Sequence, residues 1–360
     1  MSTTIALDHY RLLGRSGLRV SPLALGTMTF GQDWGWGADE AEARRIFDAY
    51  VERGGNFVDT AVNYTNGSAE RIVGKLMQGR RERIVLSTKF TMARQPGDPN
   101  AGGNHRMNLV RSVEQSLRQL GTDRIELLHL HAWDETTPPD EVLRALDDLV
   151  RAGKVLYLGI CNTPAWRVAQ LQTIAELRGW SRLVALQIEY SLVERSVEHE
   201  LLPMARALGL GVMPWSPLGG GILSGKYGSA DLDTQGERGV SATRKGVIAS
   251  SGLLNDTSLA IAREASAVAG ETGATAAQVA LAWTLLNPAV TAPVIGARTL
   301  AQALDNLGAL DVVLGDDHVA RLDAASRPAP IFPQRFVGQP MVQQLIFGGA
   351  EVARRAPATL

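Results

Sequence analysis

The sequence predicts an α/β protein whose strands and helices close into a (β/α)8 barrel. Three observations carry that prediction. Eight short β-rich runs recur, beginning near Leu23, Phe57, Ile84, Ile125, Val155, Leu183, Gly211 and Val290. Their starts are separated by 34, 27, 41, 30, 28, 28 and 79 residues, and about 30 residues is the length of a strand, a helix and their loops. The runs are rich in Val, Ile and Leu and alternate with helical periodicity, which implies a parallel sheet covered by helices. A doubly wound open sheet is the structural alternative, and eight units with no break in composition argue against it.

A barrel of this kind needs about 250 residues; the chain has 360, so the rest must be additions. Residues 8–20 read as a hairpin plug with Gly14 and Gly17 at its turns. The stretch 91–106 (TMARQPGDPNAGGNHR) lacks periodicity and reads as a loop after the third strand. In 107–120, Val110, Val113, Leu117 and Leu120 fall on one helix face. The segment 138–151 opens with Thr137 as candidate N-cap and Pro138 in the first turn. Thr163 and Pro164 repeat that signal ahead of the stripe Val168, Leu171 and Ala175. The 216–254 stretch is Gly- and Ser-rich, an extra helix spans about 256–271, and Thr275 with Gln278 has capping-box spacing. The expected organisation is a single domain over 1–360, with a core of about 10–325 and a tail over 326–360 that opens Pro-rich (RPAPIFP).

Composition narrows the function. Hydrophobic residues make up 45% and charged residues 20%, a globular balance. The net charge of −1 disfavours a chain built to grip nucleic acid. The one cysteine, Cys161, excludes an intramolecular disulfide and any zinc site made of several cysteines. Apolar runs fall short of the ~18 residues of a spanning helix, and the N-terminus lacks the basic start and apolar centre of a signal peptide. The expectation is a soluble cytoplasmic protein without nucleic-acid or membrane partners.

Two motifs are louder than their content. GWGADE (35–40) begins like a dinucleotide fingerprint but has Glu40 where the third Gly belongs. GGILSGKY (220–227) has the spacing of a phosphate loop, but Tyr227 replaces the hydroxyl that holds magnesium. His129 and His131 share one face of a strand and could chelate a metal. No further His stands at a strand end, so His129 reads as a core histidine and no metal is expected.

The C-terminal strand ends carry the chemistry in such barrels. Here they present Asp59, Tyr64 in the following loop, Lys89 and His131. A lysine ammonium beside a phenol favours the phenolate and would lower its pKa from about 10. Asp59 would hold the ammonium, and His131 could donate to a carbonyl oxygen. The set amounts to a proton donor aimed at an oxygen that gains negative charge, which is what carbonyl reduction needs.

From about Tyr10 to Leu322 the sequence resembles the aldo-keto reductases. The matching stretches are YRLLGRSGLRVSPLALGTMTFG, GGNFVDTAVNYTNGSAE, STK, SLRQLGTDRIELLHLHAWD, GICN, QIEYSL, WSPLGGGILSGKY and VIGARTLAQALDNLGAL. It is similar to the bacterial, potassium-channel β-subunit-like branch. The resemblance implies a barrel with NADP(H) extended across its rim, no metal, and 4-pro-R hydride transfer to an aldehyde or ketone. Asp59, Tyr64, Lys89 and His131 match the catalytic tetrad, with Tyr64 as general acid. Asn162 and Gln187 match residues that bind the nicotinamide carboxamide, and Cys161 stands where the family has Ser. Trp215 lies where many members stack a Tyr on the nicotinamide. Ser216, Leu218 and Gly220 match the pyrophosphate loop. Gly296, Arg298, Gln302 and Asn306 match the adenosine segment, with Arg298 facing the 2′-phosphate. Gly26, Thr27 and Met28 align beneath the cofactor.

Expected substrate-lining residues are Phe30, Trp34, Trp36, Tyr64, Phe90, His131 and Trp133, with Phe336 from the tail. An aromatic mouth suits an aromatic or medium-chain carbonyl, or a sugar face. Three other functions fit the sequence: a regulatory NADPH-binding module like a channel β subunit, a metal-dependent hydrolase using His129 and His131, and a dedicated keto-sugar reductase. A homo-oligomer is compatible with the sequence.

Overall fold

The structure is a computed structural model that describes residues 5–232, residues 246 and 248, and residues 251–352. Part of the Gly- and Ser-rich 216–254 stretch therefore lies outside the described residues. Two compact units are present, Met1–Ser326 and Arg327–Leu360.

The first unit is the barrel. A short antiparallel hairpin, β1 (Arg11–Leu12) and β2 (Arg19–Val20), precedes eight parallel strands. These are β3 (Ala24–Gly26), β4 (Phe57–Asp59), β5 (Val85–Phe90), β6 (Ile125–Leu130), β7 (Val155–Cys161), β8 (Leu183–Glu189), β9 (Gly211–Trp215) and β10 (Val294–Gly296). They lie in the order β10-β3-β4-β5-β6-β7-β8-β9. The ring is drawn together where Val212 of β9 bridges to Val290, and its carbonyl accepts from Thr291 N at 2.8 Å. The last strand is thus shorter and later than the run starting at Val290.

The hairpin is a floor. Leu13 and Val20 are fully buried and pack on Ala24, Phe57, Val85, Leu127, Ala185, Met213 and Ala292. Gly14 is required there: its φ is +56°, and a Cβ would sit 2.4 Å from the Val184 carbonyl oxygen. Gly17 meets nothing within 4 Å, so no close approach explains it.

Six helices follow the first strands: α1 (Glu40–Glu52), α2 (Ser68–Leu76), α3 (Arg106–Leu120), α4 (Pro139–Arg151), α5 (Ala165–Arg178) and α6 (Leu201–Leu208). Among the described residues, α7 (Asp256–Thr272) is the extra helix, followed by α8 (Ala276–Leu285), α9 (Leu300–Leu307) and α10 (Asp316–Ser326). The Thr275–Gln278 capping box is present at the start of α8. Two expected caps differ. Pro138 and Pro164 themselves occupy the N-cap positions, with extended ψ. The Thr137 hydroxyl instead donates to Asp134 at 2.8 Å, and that of Thr163 to the Cys161 carbonyl at 2.8 Å. Each of these prolines keeps an extended ψ (137° and 143°), so each helix starts one residue later than read. In α3 the buried face runs through Leu109, Val113 and Leu120 with Ser112 and Ser116, and Val110 is exposed. Small hydroxyl residues at the helix contact hid that face from an apolar pattern.

The second unit holds α11 (Gln334–Val337) and α12 (Pro340–Phe347), with Val342 buried. No helix of the described residues is long and apolar enough to cross a membrane.

Candidate active site

The inward-facing side chains change character along the barrel axis. Above the apolar floor of Phe57, Val85, Leu127, Ala185 and Met213, strand alternation puts Asp59, Ser87, His129, Gln187 and Trp215 at the next level. Lys89 and His131 stand one level higher on β5 and just past β6.

Lys89 is fully buried and all three of its ammonium hydrogens are committed. They go to Asp59 Oδ2 at 2.5 Å, the Thr60 carbonyl at 2.8 Å and Tyr64 Oη at 3.3 Å. Burial pulls the ammonium towards neutrality, but Asp59 and Tyr64 outweigh it and the pKa ends above its ordinary value. Asp59 Oδ1 accepts from Ser87 Oγ at 2.8 Å and Gln187 Nε2 at 3.1 Å. Thr27 braces the strand end, its hydroxyl donating to the Asp59 carbonyl at 3.1 Å.

Tyr64 opens a tight turn, Tyr64–Gly67, in which Thr65, Asn66 and Gly67 take φ of 43°, 52° and 87°. Left-handed backbone at two non-glycine residues costs on the order of 1 kcal/mol each, held in place by the surroundings. The Thr65 hydroxyl does that, donating to the Phe30 carbonyl at 2.7 Å and accepting from Ala69 N at 2.9 Å. The phenol's pKa is raised, not lowered: burial pushes it up, and the pull of Lys89 only partly offsets this. The expected lowering is therefore corrected, because the pocket that brings Lys89 close also excludes water.

His131 meets Tyr64 edge-on, with ring centroids 5.9 Å apart at 77°. Burial and then the Lys89 charge lower its pKa to about 3, so the imidazole is neutral. Its Nδ1 is buried without a hydrogen-bond partner among the described residues. His129 is fully buried inside the barrel, as read. The described residues contain no group of three or more His, Cys, Asp or Glu that could hold a metal ion.

On the rim, Trp215 Nε1 donates to Asn162 Oδ1 at 2.9 Å, and Asn162 Nδ2 donates to the His131 carbonyl at 3.0 Å. Cys161 is buried, with its thiol pushed up by burial. In the turn after β9, Ser216 has φ of +53° and its hydroxyl accepts from Gly220 N at 2.9 Å. Leu218, at the N-cap of the following 3-10 turn, is half-buried. Gly26 ends β3, where a Cβ would lie 2.7 Å from Val294 Cγ1, and Met28 is half-buried just beyond. Asn306 Nδ2 donates to the Gly296 carbonyl at 3.1 Å, and Gln302 Oε1 accepts from Arg298 N at 2.9 Å. Gln187, Gln302 and Asn306 thus already hold protein groups. Arg298 is half-buried, and no carboxylate of the described residues pairs with it.

The expected mouth divides. Trp34 stands edge-on to Tyr64 at 6.5 Å and tilts on Trp36 at 5.8 Å. Phe30 and Phe90 are buried in the helix-layer cores and do not line it. Phe90 follows inward-facing Lys89, so alternation turns it outward. Trp133 packs against the same core under the Arg167 guanidinium, 4.8 Å from its ring. Phe336 belongs to the second unit and is exposed there. The sequence reading missed Ser87 and the Thr60 carbonyl. Ser87 was visible as the first letter of STK, one strand period below Lys89.

An ion pair inside the parallel barrel thus delivers a lysine to a tyrosine at the C-terminal rim. The profile of the aldo/keto reductase family matches residues 22–327, and the chain belongs to that family. It is 42% identical to the uncharacterized oxidoreductase YrpG of Bacillus subtilis, over 89% of this chain and 97% of that protein. It is 36% identical to a norsolorinic acid reductase of Aspergillus flavus, over 92% and 84% of the two chains. A probable voltage-gated potassium channel subunit beta of Oryza sativa subsp. japonica is 34% identical over 89% and 98%.

Proposed function

We propose that the protein reduces an aldehyde or ketone to an alcohol with NADPH, with Tyr64 as general acid. The observation that carries this is the Lys89 ammonium, buried on Asp59 and 3.3 Å from the Tyr64 oxygen. A bound nicotinamide nucleotide supplies the hydride. Tyr64 stays protonated at neutral pH and gives its proton to the oxygen as that oxygen gains charge. Lys89 stabilises the phenolate left behind, and Asp59 keeps Lys89 charged and in place. Neutral His131 donates from one nitrogen only; with Nδ1 buried, Nε2 is the donor assigned to the carbonyl oxygen.

The rim residues suit the nucleotide. Trp215 and exposed Asn162 form one hydrogen-bonded unit beside His131 and would meet the nicotinamide. Ser216, Leu218 and Gly220 would follow the pyrophosphate. Arg298, without a carboxylate partner among the described residues, would take the 2′-phosphate in a bidentate grip. Gly26, Thr27 and Met28 form the bed beneath. Gln187, Gln302 and Asn306 act behind this layer by holding Asp59, Arg298 N and the Gly296 carbonyl. Buried Cys161 fills space rather than donating to ligand. Trp34 and Trp36 beside Tyr64 favour a substrate with an aromatic or extended apolar face.

Titration with NADPH and NADH, followed by tryptophan quenching, tests the cofactor. A carbonyl screen with a Tyr64→Phe control tests the chemistry. Failure of both nucleotides to bind, or full turnover in Tyr64→Phe, would sink the proposal. Likeness to the rice channel protein supports a second reading, a cofactor-binding regulatory subunit. Slow nucleotide exchange with negligible turnover on every carbonyl would favour it.

A further inference from the structure

We propose that His129 is a positioning residue whose Nδ1–H holds the Ser87 hydroxyl on Asp59, extending the Tyr64–Lys89–Asp59 chain two groups deeper into the barrel. The geometry assigns each proton. Ser87 Oγ lies 2.8 Å from Asp59 Oδ1 and 3.1 Å from His129 Nδ1. Asp59, ion-paired with Lys89 at 2.5 Å, only accepts. The one hydroxyl proton of Ser87 therefore goes to Asp59, and Nδ1 must be the donor to Ser87. His129 is then the Nδ1–H tautomer, and Nε2 carries a lone pair.

The surroundings agree with a neutral ring. Nε2 is buried and without a partner among the described residues. Burial and the Lys89 charge hold the imidazole far below its ordinary pKa. Space for the ring comes from Gly159 of β7, where a Cβ would lie 2.3 Å from His129 Cδ2 and 2.4 Å from Nε2. An apolar side chain would fill that space without an orphan nitrogen. What only the histidine supplies is the donor to Ser87.

The consequence falls on how Asp59 is held. Asp59 is faced by Ser87 and Lys89 from β5, His129 from β6 and His131 just past it, Cys161 from β7, Gln187 from β8, and Tyr64 from the turn after its own strand. Gly26 of β3 adds no side chain. Only Ser87, Gln187 and Lys89 donate to its carboxylate. Freeing the Ser87 hydroxyl removes one of these three donors, so Asp59 and the Lys89 it anchors are held less firmly.

The effect on turnover rests on the reductase reading, but the tautomer does not. In the full-length protein labelled with 15N-histidine, His129 should give the signals of a neutral Nδ1–H ring from pH 5 to 8. Ser87→Ala should shift the Nδ1 signal, and His129→Asn, which removes the resonance, assigns it. In kinetics, Ser87→Ala and His129→Leu should each lower kcat by about tenfold with the KM for NADPH little changed, the loss of one hydrogen bond to a charged group. The double variant should lower it no further. His129→Asn, whose amide nitrogen overlays Nδ1, should restore the parental kcat. An Nε2–H ring or an imidazolium at pH 7 would overturn the proposal, as would additive losses or an unchanged kcat. If His129→Leu does not fold, Ser87→Ala and the parental spectrum decide. A parent without carbonyl turnover would sink the reductase reading and leave the tautomer to decide this one.

Discussion

The Lys89 ammonium and the Tyr64 phenol oxygen lie 3.3 Å apart, with the lysine fully buried and the tyrosine half-buried. Two opposed forces act on the phenol there. Removal of water raises its pKa, and the ammonium draws it back. The outcome is a phenol that keeps its proton through neutral pH with a cation beside it.

In the proposed mechanism, Tyr64→Phe removes the proton donor and little else. Reduction should fall by about 10²–10⁴-fold in kcat, with NADPH affinity within a few-fold of the parent. Stopped-flow turnover and fluorescence titration measure the two. Lys89→Met should lose activity similarly and also leave Asp59 buried without its cation, at about 3–5 kcal/mol of stability. A urea melt reads that loss.

Arg298→Ala should weaken NADPH by about tenfold or more while leaving NADH nearly unchanged, since a charged hydrogen bond to phosphate contributes roughly 1.5–3 kcal/mol. Equal weakening of both nucleotides would place Arg298 elsewhere on the ligand.

Glu70 sits outside the barrel wall, where Thr88, turned away from Lys89 by strand alternation, donates to its Oε1 at 2.6 Å. Burial raises this carboxyl from 4.5 to about 7. Between those values the unfolded chain has released the proton and the folded chain keeps it, so stability falls as pH rises through the window. The loss is roughly 3–4 kcal/mol when complete. Glu70→Gln keeps an acceptor for Thr88 and cannot ionise. It should flatten this slope and exceed the parent in urea melts at pH 8; a parallel slope would count against the assignment.

Gly159→Ala would drive a Cβ to 2.3 Å from the buried His129 ring. Overpacking of this kind costs typically about 1–3 kcal/mol. Thermal melts should show the loss, and His129→Asn in the same chain should recover part of it.

The barrel was legible in the chain because eight hydrophobic runs at nearly constant spacing are a local property, written wherever a strand must be buried. The tetrad was legible because strand ends in a parallel barrel share one rim, so Asp59, Tyr64, Lys89 and His131 could be placed together before any distance was known. Direction within the wall was not legible. Both faces of a barrel strand are buried, so Phe90 and Lys89 read alike as buried neighbours, yet one enters the helix layer and the other the site. Phe30 misled because it lies in the loop past β3, which folds it fully buried into the helix layer. Partners far apart in the chain were beyond reach: Gln187 on Asp59 spans 128 residues, and Ser87 on His129 spans 42. Hydrogen bonds of that kind depend on register between strands, which neighbouring residues do not encode. The Tyr64 pKa had the wrong sign for a related reason. The charge beside the phenol could be read from the sequence, but the depth to which folding buries both groups is set only when the whole wall closes around them.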